Sequence, residues 1–288
     1  MRIIVTGATG FIGRHLVMKL FENGHQVVAV ARDLKRVQEF EWFEKANILQ
    51  VDLHADYRAV IEAIGEADAL IHLAWPGLPN YQGSFHIFQN LASDLAFLRA
   101  SIEAGLSHLV VAGTCLEYGL QSGALTEEMD THPITPYGFA KDSLRKSLQF
   151  FQKERAFTLQ WMRLFYMYGQ GQNPKSILSQ LDLAIDEKKR SFDMSIGTQL
   201  RDYLSIEAIT ENICVAIENP VINGVINCSS GIPISVLDLV RRRCQERGSD
   251  IELNVGRYPL PEYEPIEFWG VPAKLSALKA RSDHFLGR

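Results

Sequence analysis

The sequence predicts an α/β fold: a doubly wound parallel sheet over residues 1–165 and a smaller C-terminal α/β lobe over residues 166–288, some segments of which return to the sheet domain. Three observations carry this reading. Short β-branched runs alternate with longer helical patterns from the first residues. The runs are apolar almost throughout, as in IIV, VVAV and LVVA, and a glycine-rich turn joins the first run to the first helical pattern. Near-continuous apolar strands suit a parallel sheet buried on both faces, and strand–helix alternation implies right-handed crossovers.

Residues 2–5 read as the first strand and 12–23 as the first helix. Gln26–Ala31 is a second strand, followed by strands at 47–51, 68–73, 108–112 and 158–165. Residues 88–104 and 137–154 carry helical patterns. After about residue 165 the rhythm breaks, and Pro174, Pro220, Pro233, Pro259, Pro261, Pro265 and Pro272 punctuate shorter elements. These elements read as a lobe covering one end of the sheet.

The 288 residues are 47% hydrophobic and 22% charged, which excludes a disordered or collagen-like chain. With 29 basic and 34 acidic side chains the net charge is −5, a poor balance for broad nucleic-acid binding. The apolar runs fall short of the roughly 18 residues of a membrane helix. The opening Met1-Arg2-Ile3-Ile4-Val5 reaches Gly7 too soon for a secretory signal. Cys115, Cys214, Cys228 and Cys244 form no C-x-x-C pair, which argues against a zinc site or disulfide framework and fits a reducing cytoplasm. The expectation is a soluble cytoplasmic protein without metal, nucleic-acid partner or membrane.

The turn Val5-Thr6-Gly7-Ala8-Thr9-Gly10-Phe11-Ile12-Gly13 is the strongest local signal. A tight strand-to-helix turn needs Gly7, close approach of a diphosphate needs Gly10, and helix–sheet packing favours Gly13. Free N–H groups at the helix start attract the anion, so Gly7, Thr9, Gly10, Phe11, Ile12 and Gly13 form the candidate cofactor cradle of a Rossmann-type sheet. A carboxylate at the end of the second strand would select NAD, whereas arginine accommodates the extra phosphate of NADP. The sequence there is Val30-Ala31-Arg32-Asp33. Arg32 favours NADP, and NAD stays open because Asp33 could turn inward.

The G-x-x-G-x-x-G spacing, Thr114-Cys-Leu-Glu-Tyr118-Gly119 and Tyr137-Gly-Phe-Ala-Lys141 together resemble an extended short-chain dehydrogenase/reductase, the NAD-dependent epimerase/dehydratase type that modifies nucleotide sugars. The resemblance runs nearly end to end, through Val51-Asp52-Leu53, His72-Leu73-Ala74, Arg163–Gly169, Arg201-Asp202-Tyr203-Leu204 and Ile226–Gly231. It implies Thr114, Tyr137 and Lys141 as catalytic residues. Tyr137 and Lys141 lie one helical turn apart, where the ammonium and an oxidised nicotinamide favour phenolate. Lys141 would also hold the nicotinamide ribose, and Thr114 would orient the substrate oxygen toward Tyr137. Further carried-over cofactor contacts are Asp52 and Leu53 by the adenine, Leu73 and Ala74 along phosphates and ribose, and Phe165 near the nicotinamide. Arg201 is the candidate for the substrate diphosphate, because guanidinium grips phosphate in bidentate fashion. Trp75, Tyr81 and Tyr166 are candidate substrate contacts. His86 and His132 have no partner visible in sequence.

Departures from the family pattern narrow the reaction. Sugar 4,6-dehydratases follow the catalytic Thr with an Asp-Glu pair, and Cys115 and Leu116 stand here instead. Cys115 lies one residue early for the catalytic Cys of double epimerase-reductases, so it reads as a small buried residue. Simple 4-ketoreduction or 4-epimerisation is left, and the Arg32 preference for NADPH favours net reduction. The Tyr263-Glu-Pro265 and Phe268-Trp269-Gly270 segments also resemble enzymes that finish deoxysugars. The expected function is NADPH-dependent reduction of a dTDP- or CDP-linked 4-keto-6-deoxyhexose. Alternatives are an NAD-dependent 4-epimerase, a non-catalytic NADP sensor, or a reductase of a small aldehyde or flavonoid-like ketone. Homodimerisation through the helices at 88–104 and 137–154 is implied by the resemblance.

Overall fold

Ile3, Ile4 and Val5 have no access to solvent, because strand β1 (Arg2–Thr6) runs inside a seven-stranded sheet with helices on both sides. The computed structural model describes residues 1–260 and 262–286, so Pro261 lies outside the described residues. After β1 come α1 (Phe11–Glu22), β2 (Gln26–Ala31), α2 (Leu34–Val37), β3 (Asn47–Gln50), α3 (Arg58–Ile64), β4 (Ala69–His72), α4 (Ala92–Glu103) and β5 (His108–Thr114). The middle of the chain forms β6 (Gly123–Leu125), α5 (Pro136–Phe151), β7 (Thr158–Leu164), β8 (Tyr166–Tyr168), α6 (Ile177–Asp186) and β9 (Ser191–Ser195). Then follow β10 (Leu200–Ser205), α7 (Ile206–Ile217), β11 (Gly224–Cys228), β12 (Pro233–Ser235), α8 (Val236–Glu246), β13 (Glu252–Tyr258), β14 (Phe268–Gly270) and α9 (Ala273–Leu286).

The main sheet has the order β11-β7-β5-β4-β1-β2-β3, and every pairing in it is parallel. It is the doubly wound Rossmann-type sheet expected from the apolar runs. Successive side chains of a strand face opposite layers. Ile3 and Val5 accordingly join α1 and α7 through Leu16, Leu20, Ile209 and Ile213. Ile4 joins α4 and α5 through Phe97, Leu98, Leu144 and Leu148. Strand order reverses between β1 and β4, which opens a crevice at their C-terminal ends.

A seventh strand, β11, comes from the C-terminal half and pairs with β7, and α7 packs beside α1. Two details depart from the sequence reading. The strand expected over 158–165 ends at Leu164, where Phe165 N–H turns to the Cys228 carbonyl, and β8 leaves for a small sheet with β10 and β12. The helix expected from residue 88 opens as a π-helical turn, His86–Leu91. That wider turn carries His86 and Asn90 to the 76–80 loop, where they donate to the Asn80 and Pro76 carbonyls. The remaining lobe packs α6 and α8 around Leu181, Leu239 and Val240. Among the described residues no helix is long and apolar enough to cross a membrane.

Candidate active site

The crevice begins at the glycine turn. Gly7 has φ +68°, and a Cβ there would lie 2.8 Å from the Ala74 nitrogen; one on Gly13 would lie 2.2 Å from the Gly7 carbonyl oxygen. Side chains at these positions would therefore fill the cradle or break it. Helix α1 starts on Gly10 with no side-chain cap and no acid in its first turn. Its first N–H groups stay available to an anion, so the residues present fit a dinucleotide diphosphate.

Beneath the cradle, the Thr6 hydroxyl oxygen accepts from Leu73 N–H at 3.2 Å and Ala74 N–H at 3.3 Å. Its own hydrogen then goes to His72 Nδ1, 2.9 Å away. His72 Nε2–H in turn donates to Asp94 at 3.1 Å, and the other Asp94 oxygen takes His54 at 3.3 Å. Burial alone would push the Asp94 carboxyl up, but His72, His54 and Lys141 hold it near about 2. This network laces the ends of β1 and β4 together.

From the cradle a cleft of about 680 Å³ runs toward the C-terminal lobe. It brings together Gly7, Gly10, Phe11, Ile12, Gly13 and Leu73 from the expected cofactor set, with Phe165 farther along. Thr114, Tyr137, Lys141, Trp75, Tyr81 and Tyr166 line it too. Thr9, Arg32, Asp52, Leu53, Ala74 and Arg201 are outside its lining. Leu53 is packed in the core, and Ala74 contributes its N–H to Thr6. Arg32 and Asp52 are exposed just past the ends of adjacent strands β2 and β3. Asp33 does not turn inward: its carboxylate caps α2 by accepting from Lys35 N–H at 2.9 Å. A second groove, about 890 Å³ and of mixed charge, lies beside α1 around Arg14, Lys19 and Trp42.

Helix α5 places the tyrosine and lysine. Thr135 caps it by accepting from Gly138 N–H at 3.0 Å, and Pro136 occupies the first turn, where its missing N–H costs nothing. Tyr137 and Lys141 are both buried. The Lys141 ammonium lies 3.9 Å from the centre of the Trp75 ring. The indole is fixed from behind, because Trp75 Nε1–H donates to His86 Nδ1 at 2.9 Å while His86 Nε2–H donates to the Asn80 carbonyl at 2.7 Å.

The expected lowering of the Tyr137 phenol is not produced by the protein alone. Burial pushes it well up, with Tyr81, Glu117 and Cys115 adding to the rise and a hydrogen bond from Thr114 opposing it. Burial also lowers Lys141 to about 8, against the pull of Asp94 and Glu117. The physical reason is that both groups are desolvated while the ammonium faces an indole. Tyr137 is thus a phenol that keeps its proton at neutral pH.

Thr114 ends β5 and caps the short 3₁₀ turn Cys115–Tyr118. Its backbone N–H donates to Glu117 at 2.8 Å, and the same carboxylate receives Trp161 Nε1–H at 2.8 Å and Arg163 Nε–H at 2.9 Å. Arg145 lies 3.7 Å away. Glu117, absent from the sequence-derived site, has no solvent exposure and anchors Thr114 from behind. The signal was present as Thr114-x-x-Glu117, a capping-box pattern. Cys115 is buried beside it, and burial pushes its thiol up.

In the far wall Arg201 sits behind a carboxylate. Its guanidinium is 3% exposed and ion-paired with Glu264, Nη2 to Oε2 at 2.9 Å and Nε to the same oxygen at 3.3 Å. The phenol of Tyr166 donates to the other Glu264 oxygen. Glu264 lines the cleft and Arg201 is behind it, so the arginine does not face the cavity. Among the described residues no three His, Cys, Asp or Glu side chains converge as metal ligands.

A doubly wound sheet, a helix-start cradle and a buried Thr–Tyr–Lys set along one cleft define a nicotinamide-dinucleotide enzyme of the Rossmann type. The model of the NAD dependent epimerase/dehydratase family matches residues 3–229, and the chain belongs to that family. The dTDP-6-deoxy-L-talose 4-dehydrogenase (NAD(+)) of Aggregatibacter actinomycetemcomitans is 30% identical over 94% of this chain and 99% of its own. The UDP-glucose 4-epimerase of Bacillus subtilis is 25% identical over 87% of this chain and 84% of its own. Among solved structures, the UDP-glucuronic acid 4-epimerase from Bacillus cereus in complex with UDP-glucuronic acid and NAD superposes with a TM-score of 0.84. It is 26% identical, and the match covers 96% of this chain and 92% of that one.

Proposed function

We propose that this enzyme reduces the 4-keto group of a dTDP- or CDP-linked 4-keto-6-deoxyhexose, with NADPH as the preferred reductant. The observation that carries this reading is the buried Tyr137 beside Thr114 in a cleft continuous with the glycine cradle. Reduction of a ketone consumes a proton, and a phenol that retains one at neutral pH is suited to supply it. The 30% identical relative is a 4-dehydrogenase of a 6-deoxyhexose nucleotide, the same conversion in the opposite direction.

Nicotinamide dinucleotide, when bound, supplies the hydride. Gly7, Gly10, Phe11, Ile12 and Gly13 would hold its diphosphate, with Thr9 completing the turn; Asp52 and Leu53 would lie by the adenine, and Leu73 and Ala74 along the phosphates and ribose. Lys141 would hold the nicotinamide ribose and Phe165 the ring end. Tyr137 delivers its proton to the sugar O4, which the Thr114 hydroxyl orients, while Trp75, Tyr81 and Tyr166 enclose the sugar. Support for NADPH comes from Asp33, whose carboxylate is committed to a cap, from Arg36, which lines the cleft with the cradle, and from the exposed Arg32 just past β2. Dehydration is disfavoured by Cys115 and Leu116, neither of which relays protons. The proposed setting is cytoplasmic, as a homodimer through α4 and α5; Phe88, in the turn before α4, and Phe150, on α5, are exposed.

The test is a panel of 4-keto-6-deoxyhexose nucleotides assayed by NADPH oxidation, with NADH as control. Turnover faster with NADH than with NADPH sinks the cofactor assignment, and no turnover with any member sinks the reductase. A second reading, an NAD-dependent 4-epimerase, is favoured by the relatives that carry that activity. It requires interconversion of a 4-hydroxyl sugar nucleotide without net change in cofactor. A non-catalytic sensor is disfavoured because Thr114, Tyr137 and Lys141 are all present. A small-ketone reductase would show no thermal shift with dTDP, CDP, UDP or GDP after NADPH is bound.

A further inference from the structure

We propose that Glu264 is an internal occupant of the substrate's anion site: its carboxylate covers the edge of Arg201 that receives a phosphate, and nucleotide entry exchanges one for the other. The inference rests on the nucleotide-sugar reading and adds to it a way in which the cleft is held when empty.

The guanidinium is held by two separate sets of contacts. Nη1 donates to the Leu200 carbonyl at 2.8 Å and to the Ile266 carbonyl at 3.1 Å, and the Phe268 ring lies 4.6 Å from the guanidinium carbon. These contacts fix Arg201 without help from Glu264. The Nε–Nη2 edge, which carries the carboxylate, is the edge with which arginine grips either carboxylate or phosphate. A guanidinium 3% exposed would be costly without an anion, and Glu264 supplies one. A carboxylate and a diphosphate cannot share that edge without repulsion, while exchange keeps Arg201 partnered throughout.

Glu264 is placed to leave. It lines the cleft, whereas Arg201 is behind it, and it sits on the crossing between β13 and β14. The neighbouring Tyr263 ring lies 6.1 Å from Tyr81, whose ring lies 5.6 Å from Tyr137. Release of Glu264 would therefore also move the aromatic wall against the proposed proton donor.

Calorimetric titration of the NADP-loaded protein with dTDP, CDP and UDP tests the exchange. Glu264→Gln keeps the side chain's size and weakens its hold on Arg201. If the uncovered form is about a tenth of the population, the variant binds the preferred nucleotide about tenfold tighter. Unchanged or weaker binding by Glu264→Gln, with the unaltered protein binding normally, overturns the exchange and leaves the nucleotide-sugar reading standing. Absence of binding by either form to every nucleotide removes both. Hydrogen–deuterium exchange on the unaltered protein is independent of whether the variant folds. Faster exchange at residues 262–267 on adding dTDP supports displacement, and slower exchange overturns it.

Discussion

The two walls of the cleft each bury a carboxylate against arginine, and they do so differently. Glu117 has no exposure and receives Arg163, Trp161 and the Thr114 N–H, all from strands of the main sheet or the turn after β5. Glu264 faces the cavity from a crossing between two short strands and receives Arg201 and Tyr166. The first arrangement is a foundation under the proposed catalytic threonine; the second is a cover over a cation. The contrast is between a wall built to stay fixed and a wall built to meet a ligand.

The sharpest test of the fixed wall is Tyr137→Phe. Removing the hydroxyl deletes the proposed proton donor and leaves the ring packed. The expected loss in NADPH oxidation is roughly 10²- to 10⁴-fold, with cofactor binding by titration preserved. A variant retaining most of its activity would remove Tyr137 from the chemistry and reopen the sensor reading.

Next in size is Glu117→Ala. It would leave the Arg163 charge buried without its carboxylate, Arg145 keeping its pair with Asp142, and free the Thr114 N–H. Breaking a buried pair from one side costs about 3–5 kcal/mol, to be read from urea unfolding. A loss below about 1 kcal/mol would mean that Glu117 is dispensable and that the two walls do not differ in kind.

This asymmetry also decides what was legible in the sequence. Residues of the fixed wall come from short contiguous motifs: the glycine turn, Thr114-x-x-Glu117 and Tyr137-x-x-x-Lys141. Within each motif the geometry is set by one turn or one helix, so spacing fixes which of its groups are neighbours, whereas Trp161 and Arg163 reach Glu117 from β7 through the sheet. The parallel sheet was legible for the same reason, since burial on both faces writes itself into Ile3–Val5 and its counterparts. Glu264 and Arg201 are sixty-three residues apart and meet through tertiary packing, and no local pattern in Tyr263-Glu-Pro265 states that pairing. His86 was unassigned because its partner, the Trp75 indole, is brought to it by the π-helical turn. The pairing of β11 with β7 likewise depends on a return of the chain after the lobe has begun.

Lys141 gives a smaller effect with a definite sign. A lysine lowered to about 8 from an ordinary 10.5 binds fewer protons folded than unfolded between those values. Stability of the unaltered, ligand-free protein therefore rises with pH across that window, and the penalty is fully present below 8. Lys141→Met should remove the penalty. It is expected to stabilise the ligand-free protein at pH 7 by on the order of 2–3 kcal/mol, with the gain shrinking toward pH 10.5. A destabilised variant at pH 7 would mean that the ammonium is well paired in the fixed wall and that burial is not its dominant influence.

The finest distinction concerns what the Trp75 ring contributes to that lysine. An ammonium 3.9 Å from the centre of an indole is favoured in its charged form, so the ring works against the effect of burial. Trp75→Leu keeps an apolar neighbour and removes the aromatic face, and should favour neutral Lys141 by about 1 kcal/mol. The pH window in which stability rises should then begin at a lower pH, by somewhat less than about one unit. The position of the window is the informative quantity. Loss of the Trp75–His86 hydrogen bond lowers the whole stability curve but does not move that window along the pH axis. A window that stays in place would show that the indole only fills space, and that desolvation alone sets the charge of the lysine beside Tyr137.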